Sequence, residues 1–179
     1  MSVPLEQLMA RYQQADREAA GELIDAVSPQ FFRFFLGCTG DRAHAEDLLQ
    51  DFWLRMHGAR RSYRPPAPVL PWMYAIARRV RVDDFRRTKR VSGHEIQMDE
   101  LPEVAAPTRA KEERELSALL AQLPESQQEV ILMLKVSGLT LEEVAAATRT
   151  SVGAVKQKAH RAYERLRSLV RKPVHGTQV

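Results

Sequence analysis

The sequence predicts an all-α protein of two small helical domains joined by a flexible acidic linker, with a helix-turn-helix closing the second domain. Three observations carry this expectation. Apolar residues recur at three- and four-residue spacing along most of the 179 residues, and no stretch sustains the period-two alternation of a half-buried strand. Helix boundaries are written into the chain: Asp16, the pair Ser28-Pro29, and Thr140 with Glu143 open helices, while Gly58 and Gly138 close them. Residues 91–107 hold Gly, Pro and acids without periodicity, which marks a domain boundary.

In chain order, Leu5–Tyr12 reads as a short first helix. Asp16 caps a second that runs to about Val27. Ser28 followed by Pro29 at a first helical position opens a third through Phe31–Leu36, and Gly37–Asp41 breaks the chain. Arg42–His57 forms the next helix, with Gly58 as its stop. Pro65, Pro66, Pro68 and Pro71 make Arg60–Pro71 a loop, because proline fixes the backbone and donates no hydrogen bond. Pro71 then starts a helix that continues to about Lys89. Beyond the break, Lys111–Leu123 places Leu116, Leu119, Leu120 and Leu123 on one face, and Pro124 starts a helix reaching Val136. The domains, roughly 90 and 65 residues, can each bury a core, the smaller near the lower practical limit. Phe31, Phe32, Phe34, Phe35, Phe52 and Trp53 are expected to nucleate the first core.

A net charge of +4 and a pI near 9.5 permit nucleic-acid binding without establishing it. The distribution says more. Arg78–Arg90 holds seven Lys or Arg against two Asp, and Lys156–Lys172 is again strongly basic; between them Val91–Thr108 holds four acids and no Lys or Arg. Two basic surfaces joined by an acidic connector are implied. Cys38 is the only cysteine, so no intramolecular disulfide forms, and no close His/Cys cluster offers a metal site. Beside the aromatic cluster Cys38 reads as a small buried hydrophobe, with a redox sensor as the rarer alternative. No metal or cofactor is expected. The N-terminus lacks a secretory pattern, and no apolar run approaches the roughly 20 residues that cross a bilayer, so a cytoplasmic location is expected.

The stretch from Leu139 to Arg167 is the most specific. Thr140 and Glu143 form a capping box, Leu141, Val144 and Ala145 give a short helix its apolar side, and Thr148–Thr150 turn. Ser151 caps a second helix in which Val152, Val155, Ala159, Ala162, Leu166 and Leu169 face a core. Lys156, Gln157, Lys158, His160, Arg161 and Arg165 fall largely on the faces left to solvent. A major groove admits such a helix, which reads bases mostly through its first turns.

Two other helices carry chemistry. In Arg42–His57 the apolar face is Ala45, Leu48, Leu49, Phe52 and Met56, while Asp47 and Asp51 lie one turn apart elsewhere with Gln50 beside them. Carboxylates so placed are either solvated or met by a cationic protein surface. In Pro71–Arg90, Met73, Ile76, Ala77 and Val80 give a core stripe. Arg79, Asp83, Arg86, Arg87 and Arg90 follow a different face, with Trp72 and Tyr74 near its start. Arginines hold phosphates irrespective of sequence, and aromatic rings at the end of the track stack on unpaired bases. The alternative for Trp72 is a core position.

These residues resemble the bacterial RNA polymerase sigma factors of the sigma-70 family, extracytoplasmic-function (ECF, group IV) type, from about Tyr12 to Leu169. The signatures are AEDLLQDFWLRM at 45–56, LPWMYAIARRVRVDDFRRTKR at 70–90, LAQLPESQQEVILMLKVSGLTLEEVAAA at 120–147 and SVGAVKQKAHRAYERLR at 151–167. The resemblance implies a region 2-like domain over residues 1–90, a linker over 91–110, a region 4-like helix-turn-helix domain over 111–172, and a tail over 173–179. It implies that Asp47, Gln50 and Asp51 dock on the coiled-coil clamp helices of the β′ subunit of core RNA polymerase. The loop from Arg61 to Pro71, with Arg61, Tyr63 and Arg64, would capture a flipped base of the −10 element. The helix after it would contact and help melt the −10 strand through Trp72, Tyr74, Arg79, Arg86, Arg87 and Arg90. Ser151, Lys156, Gln157, Lys158 and Arg161 would read the −35 element. The linker would thread toward the polymerase cleft, against β and β′, and an anti-sigma factor, often membrane-bound in this family, would mask the polymerase-binding surfaces.

The chain departs from the family's pattern in carrying Arg79 where Asn is common, and in the proline content of the capture loop. The competing expectation is a two-domain helix-turn-helix regulator that binds duplex DNA without polymerase. An enzyme is not expected. Asp83-Asp84 and Glu142-Glu143 are adjacent on helices and diverge by about 100°, with no third carboxylate spaced to join them.

Overall fold

The computed structural model describes residues 3–91 and 115–171, with side chains through Thr88 in the first stretch. The linker expected over 91–110 falls almost wholly outside the described residues, as does the tail over 173–179. Among the described residues every regular element is helical, as the periodicity predicts.

Helix α1 (Leu5–Gln13) leads into α2 (Arg17–Thr39), whose N-cap Asp16 accepts a hydrogen bond from the Ala19 amide at 3.0 Å. Here the structure corrects the sequence reading, because α2 runs unbroken through Ser28-Pro29 and Gly37. Proline costs a helix one donor and crowds the preceding turn. Pro29 is exposed, as is Asp25, the residue one turn back whose carbonyl its missing amide would have bonded. Val27, Phe31, Phe34 and Phe35 meanwhile bury one continuous face on both sides of the proline. Ser28 does not cap a helix; its hydroxyl accepts from Trp53 Nε1 at 3.1 Å. The stop comes three residues after Gly37, at Gly40 in the left-handed region (φ 70°), whose amide bonds the Leu36 carbonyl at 2.8 Å.

Helix α3 (Arg42–Ala59) is capped by Asp41, which accepts from the His44 amide at 2.6 Å. It continues past Gly58 and tightens into a 3₁₀ turn over Arg60–Ser62. Helix α4 (Val69–Val91) begins two residues before Pro71, which sits in the first turn where its missing amide costs nothing. Helix α5 is described over 115–120. Helix α6 (Glu125–Ile131) widens into a π-type turn over Leu132–Val136 that ends at Gly138 (φ 69°). Helices α7 (Leu141–Thr148) and α8 (Val152–Arg171) form the helix-turn-helix.

The core centres on aromatics. Phe31 stacks on Phe52 at 4.3 Å between ring centroids and lies 4.5 Å from Tyr74, while Phe34 meets Tyr74 edge-on at 5.4 Å. One contiguous set of buried residues extends from this cluster to Leu132, Met133, Val144 and Val155, so the two halves pack on each other. Gly37 marks the closest approach: a Cβ there would fall 2.3 Å from Leu132 Cδ2. Polar groups complete the seam. Arg78 Nε donates to Glu129 Oε1 at 2.5 Å, and Arg81 Nη2 donates to Gln128 Oε1 at 2.8 Å. Gln128 Nε2 donates to the Gly37 carbonyl at 3.1 Å, and Gln30 Nε2 to that of Ser137 at 2.8 Å.

Candidate nucleic-acid interface

The helix-turn-helix forms as its capping residues dictate. Thr140 Oγ1 accepts from the Glu143 amide at 3.1 Å, and Glu143 Oε2 accepts from the Thr140 amide at 2.8 Å. Arg149 turns the chain in the left-handed region (φ 53°), and the Thr150 amide closes the turn on the Ala145 carbonyl at 3.0 Å. Ser151 Oγ then accepts from the Ala154 amide at 3.1 Å and opens α8. Val155, Ala159 and Ala162 are buried, which turns the opposite side of α8 outward. Ser151, Lys156, Gln157 and Arg161 are exposed there, and Lys158 is half-buried at its edge.

On α4 the predicted arginine track is present. Arg79, Arg86 and Arg87 are exposed; Arg90 lies in the helix with its side chain outside the described residues. Arg79 and Arg86 share with Arg149 a groove of about 240 Å³ between α4 and α7. Asp83 does not run free along this track. It accepts from Arg55 of α3, and that hydrogen bond, ahead of other influences, holds its carboxyl below the usual range. Asp84 bonds Arg87 at 3.0 Å and His44 at 2.9 Å. The two adjacent carboxylates are thus engaged by different partners, and no metal-holding group of His, Cys, Asp and Glu occurs among the described residues.

The aromatics differ from the sequence reading. Tyr74 is a core residue with no exposed surface, because its position on α4 points between Phe31 and Phe34; it is not presented to a strand. Tyr63 is likewise 1% exposed, with its hydroxyl donating to the Ala67 carbonyl at 2.5 Å. Trp72 is half-buried and packs 5.5 Å from the Tyr63 ring, so only part of its indole faces outward. Arg61 and Arg64 are the exposed charged side chains of the loop, and Arg64 Nη1 also donates to the Arg61 carbonyl at 2.7 Å. The Pro65–Pro66 peptide is cis.

On α3, Asp47 and Gln50 are exposed and Asp51 half-buried. Leu54, which the sequence reading passed over, is 72% exposed and extends this stripe by three further residues. An outward leucine beside carboxylates breaks the apolar pattern of α3, and that break was the available signal. Also missed were Arg78, Gln128 and Glu129, which look like members of charged runs until the seam brings them together.

Cys38 is half-buried in a cavity of about 290 Å³ with Leu48, Phe85 and Leu123 on its walls. Burial pushes its thiol up to about 12, which suits the small hydrophobe and not a reactive sensor. No helix among the described residues is long and apolar enough to cross a membrane.

Comparison with known proteins gives this geometry its context. Residues 23–91 match the family described as Sigma-70 region 2, and residues 113–166 match Sigma-70, region 4. The RNA polymerase sigma factor CarQ of Myxococcus xanthus is 32% identical over 165 residues, covering 90% of this chain and 95% of that protein. The ECF RNA polymerase sigma factor ShbA of Streptomyces griseus is 32% identical over 177 residues, covering 90% and 93%. In fold, the chain superposes on CnrH, solved in complex with the cytosolic domain of CnrY, with a TM-score of 0.73 at 22% identity over 91% of this chain and 94% of that one. A helix-turn-helix, an arginine-bearing helix and both family regions in order lead to one conclusion: the chain belongs to the ECF RNA polymerase sigma factors, non-catalytic transcription factors that direct RNA polymerase to promoters.

Proposed function

We propose that three exposed surfaces divide this work. The α3 stripe of Asp47, Gln50 and Asp51, extended by Leu54, docks on a cationic and partly apolar surface of core polymerase, the β′ clamp helices. Arg61 and Arg64 of the loop, the outward part of Trp72, and Arg79, Arg86, Arg87 and Arg90 of α4 hold the −10 strand as it opens. Tyr63 and Tyr74 act from inside, by shaping the loop and seating α4. Ser151, Lys156, Gln157, Lys158 and Arg161 carry α8 into the major groove at −35. Residues 1–90 then serve polymerase and the −10 element, residues 111–172 the −35 element, and 91–110 span between them.

The observation that carries this reading is the opposite sign of neighbouring exposed faces: carboxylates on α3, guanidiniums on α4. One suits a cationic protein and the other a phosphate backbone. Unstacking a base costs a few kcal/mol, which captured bases and phosphate contacts offset. Neither DNA contact need be strong alone, since tethering on polymerase raises the effective concentration of the second. We further infer an anti-sigma partner that covers the α3 stripe. The sigma factor RpoE of Bartonella quintana was solved in complex with the anti-sigma factor NepR, and CnrH in complex with the cytosolic domain of CnrY.

The test is transcription by purified core polymerase on host genomic fragments, with and without this chain. Discrete start sites are expected with it, and their loss in the variant combining Asp47→Arg and Asp51→Arg. Unchanged start sites in that folded variant would overturn the α3 assignment.

A further inference from the structure

The loop after α3 is held partly by its own side chains and partly from outside. Pro65, Pro66 and Pro68 contribute no amide donors; within the loop Arg64 donates to the Arg61 carbonyl and the Tyr63 hydroxyl to that of Ala67. The remaining hold comes from α1, a helix to which no binding role has been attached. Gln13 Nε2 donates to the Arg60 carbonyl at 2.7 Å and to the Tyr63 carbonyl at 2.9 Å. Both amide protons are thereby used on two acceptors, which also fixes the orientation of the amide. At the far end of the loop, Glu6 Oε1 accepts from the Val69 amide, the first of α4, at 3.2 Å. Glu6 and Gln13 are seven residues apart and lie on one face of α1, two turns from each other. Tyr12 adds to the grip: its hydroxyl lies 2.5 Å from His57 Nδ1, and the Arg60 guanidinium sits 5.7 Å from the centre of its ring.

We propose that Glu6 and Gln13 are positioning residues for promoter opening. Acting as a brace on both ends of the loop, they hold residues 61–68 in the shape that receives an unpaired base of the −10 strand. The proposal rests on the assignment of that loop to base capture. Its physical content is preorganisation. A loop already held in its receiving shape does not lose further freedom when the base arrives, so the brace is expressed as affinity for the open strand and as discrimination between bases. Neither residue touches the strand.

The test uses holoenzyme assembled from core polymerase and the full chain. The probe is a single-stranded oligonucleotide carrying the non-template −10 sequence of a promoter found by mapping start sites, beside a copy with one base replaced. Gln13→Met keeps the length of the side chain and removes both donors. It is expected to weaken oligonucleotide binding about tenfold and to narrow the preference for the correct base, with core binding unchanged. Glu6→Ala should act in the same direction, and Glu6→Gln, whose amide oxygen still accepts from Val69, should restore the parent values. This conservative pair decides the matter if Gln13→Met shifts the unfolding midpoint, because a loss of folded protein alone would not alter base preference. If Gln13→Met and Glu6→Ala leave affinity and preference within about twofold while Arg61→Ala weakens binding, the brace is overturned and the loop assignment stands. If Arg61→Ala and Arg64→Ala are also without effect, the loop is not the capture element and both ideas fall.

Discussion

The seam between the two halves offers the sharpest energetic test, at Arg78 and Glu129. The Glu129 side chain is 6% exposed and that of Arg78 is 29% exposed, and they are joined by the 2.5 Å bond from Nε to Oε1. Arg78 has a second acceptor, the Ala147 carbonyl at 3.3 Å. Removing one member of a buried pair typically costs about 3–5 kcal/mol, because the other is left charged without a partner. The two residues are not equivalent here. Arg78 can rehydrate and keep Ala147, so Glu129→Ala should cost about 2 kcal/mol, below that range. Arg78→Ala strands a carboxylate that water barely reaches, and should cost about 3 kcal/mol. With both removed no charge is stranded, and the double variant should be no worse than Arg78→Ala, giving a coupling of about 2 kcal/mol. Urea unfolding followed by the fluorescence of Trp53 and Trp72 measures all four proteins, provided the slope is unchanged. A coupling under about 0.5 kcal/mol would refute the reasoning, since additive losses mean that the pair is hydrated in solution.

Three further outcomes are expected. Thr140→Ala removes the hydroxyl that accepts from the Glu143 amide, leaves the Thr140 amide bonded to Glu143, and should destabilise the helix-turn-helix by about 1 kcal/mol in thermal or urea unfolding, with −35 selectivity retained by the folded fraction. On the alkaline side, burial raises the Cys38 thiol from 9.0 to about 12 and the Tyr74 hydroxyl from 10.0 to about 12. The folded state therefore keeps protons that the unfolded state releases. Stability contributed by these groups is intact below pH 9 and lost as pH climbs toward 12; Cys38→Ala should flatten the fall between 9 and 10. Finally, Arg79→Ala, Arg86→Ala and Arg87→Ala should each reduce the slope of log affinity against log salt for holoenzyme on promoter DNA by about one, and leave base preference unaltered. A changed preference would mean a base contact.

Much of this was legible in the chain because short-range chemistry decides it. The capping box at Thr140 and Glu143, the Asp16 cap and the apolar stripe of α8 each involve residues within a turn or two, and each appears where the pattern places it. What misled were local signals overruled by packing. Ser28-Pro29 is a strong helix-start pair, yet an aromatic face continuous from Val27 to Phe35 carries α2 through it. Gly37 looks like a breaker and serves as a seat for Leu132, a residue 95 positions away. Tyr74 follows Trp72 by two residues, which on a helix is about 200° of rotation, so one reaches the surface and the other the core. The Gln13 brace left no trace in any pattern, since a single amide meeting two distant carbonyls has no periodicity.

The π-type turn at the end of α6 has a geometric consequence for the helix-turn-helix. There the Ser137 amide bonds the Leu132 carbonyl, five residues back, at 3.0 Å, so the turn contains one residue more than an α-helical turn would. One residue of α-helix is about 100° of rotation and 1.5 Å of rise. Leu132 and Met133, fully buried at the start of the turn, set the phase of the helix against α2; the exit at Gly138, and with it the heading of α7 and α8, is set at its end. The turn therefore behaves as a fixed-step coupling between two gears. Deleting a single residue from Leu134 to Val136 would close it to ordinary helical pitch and leave the core teeth engaged. Helix α8 would then leave the bundle on a different bearing, with every one of its exposed side chains intact and aimed at a different place.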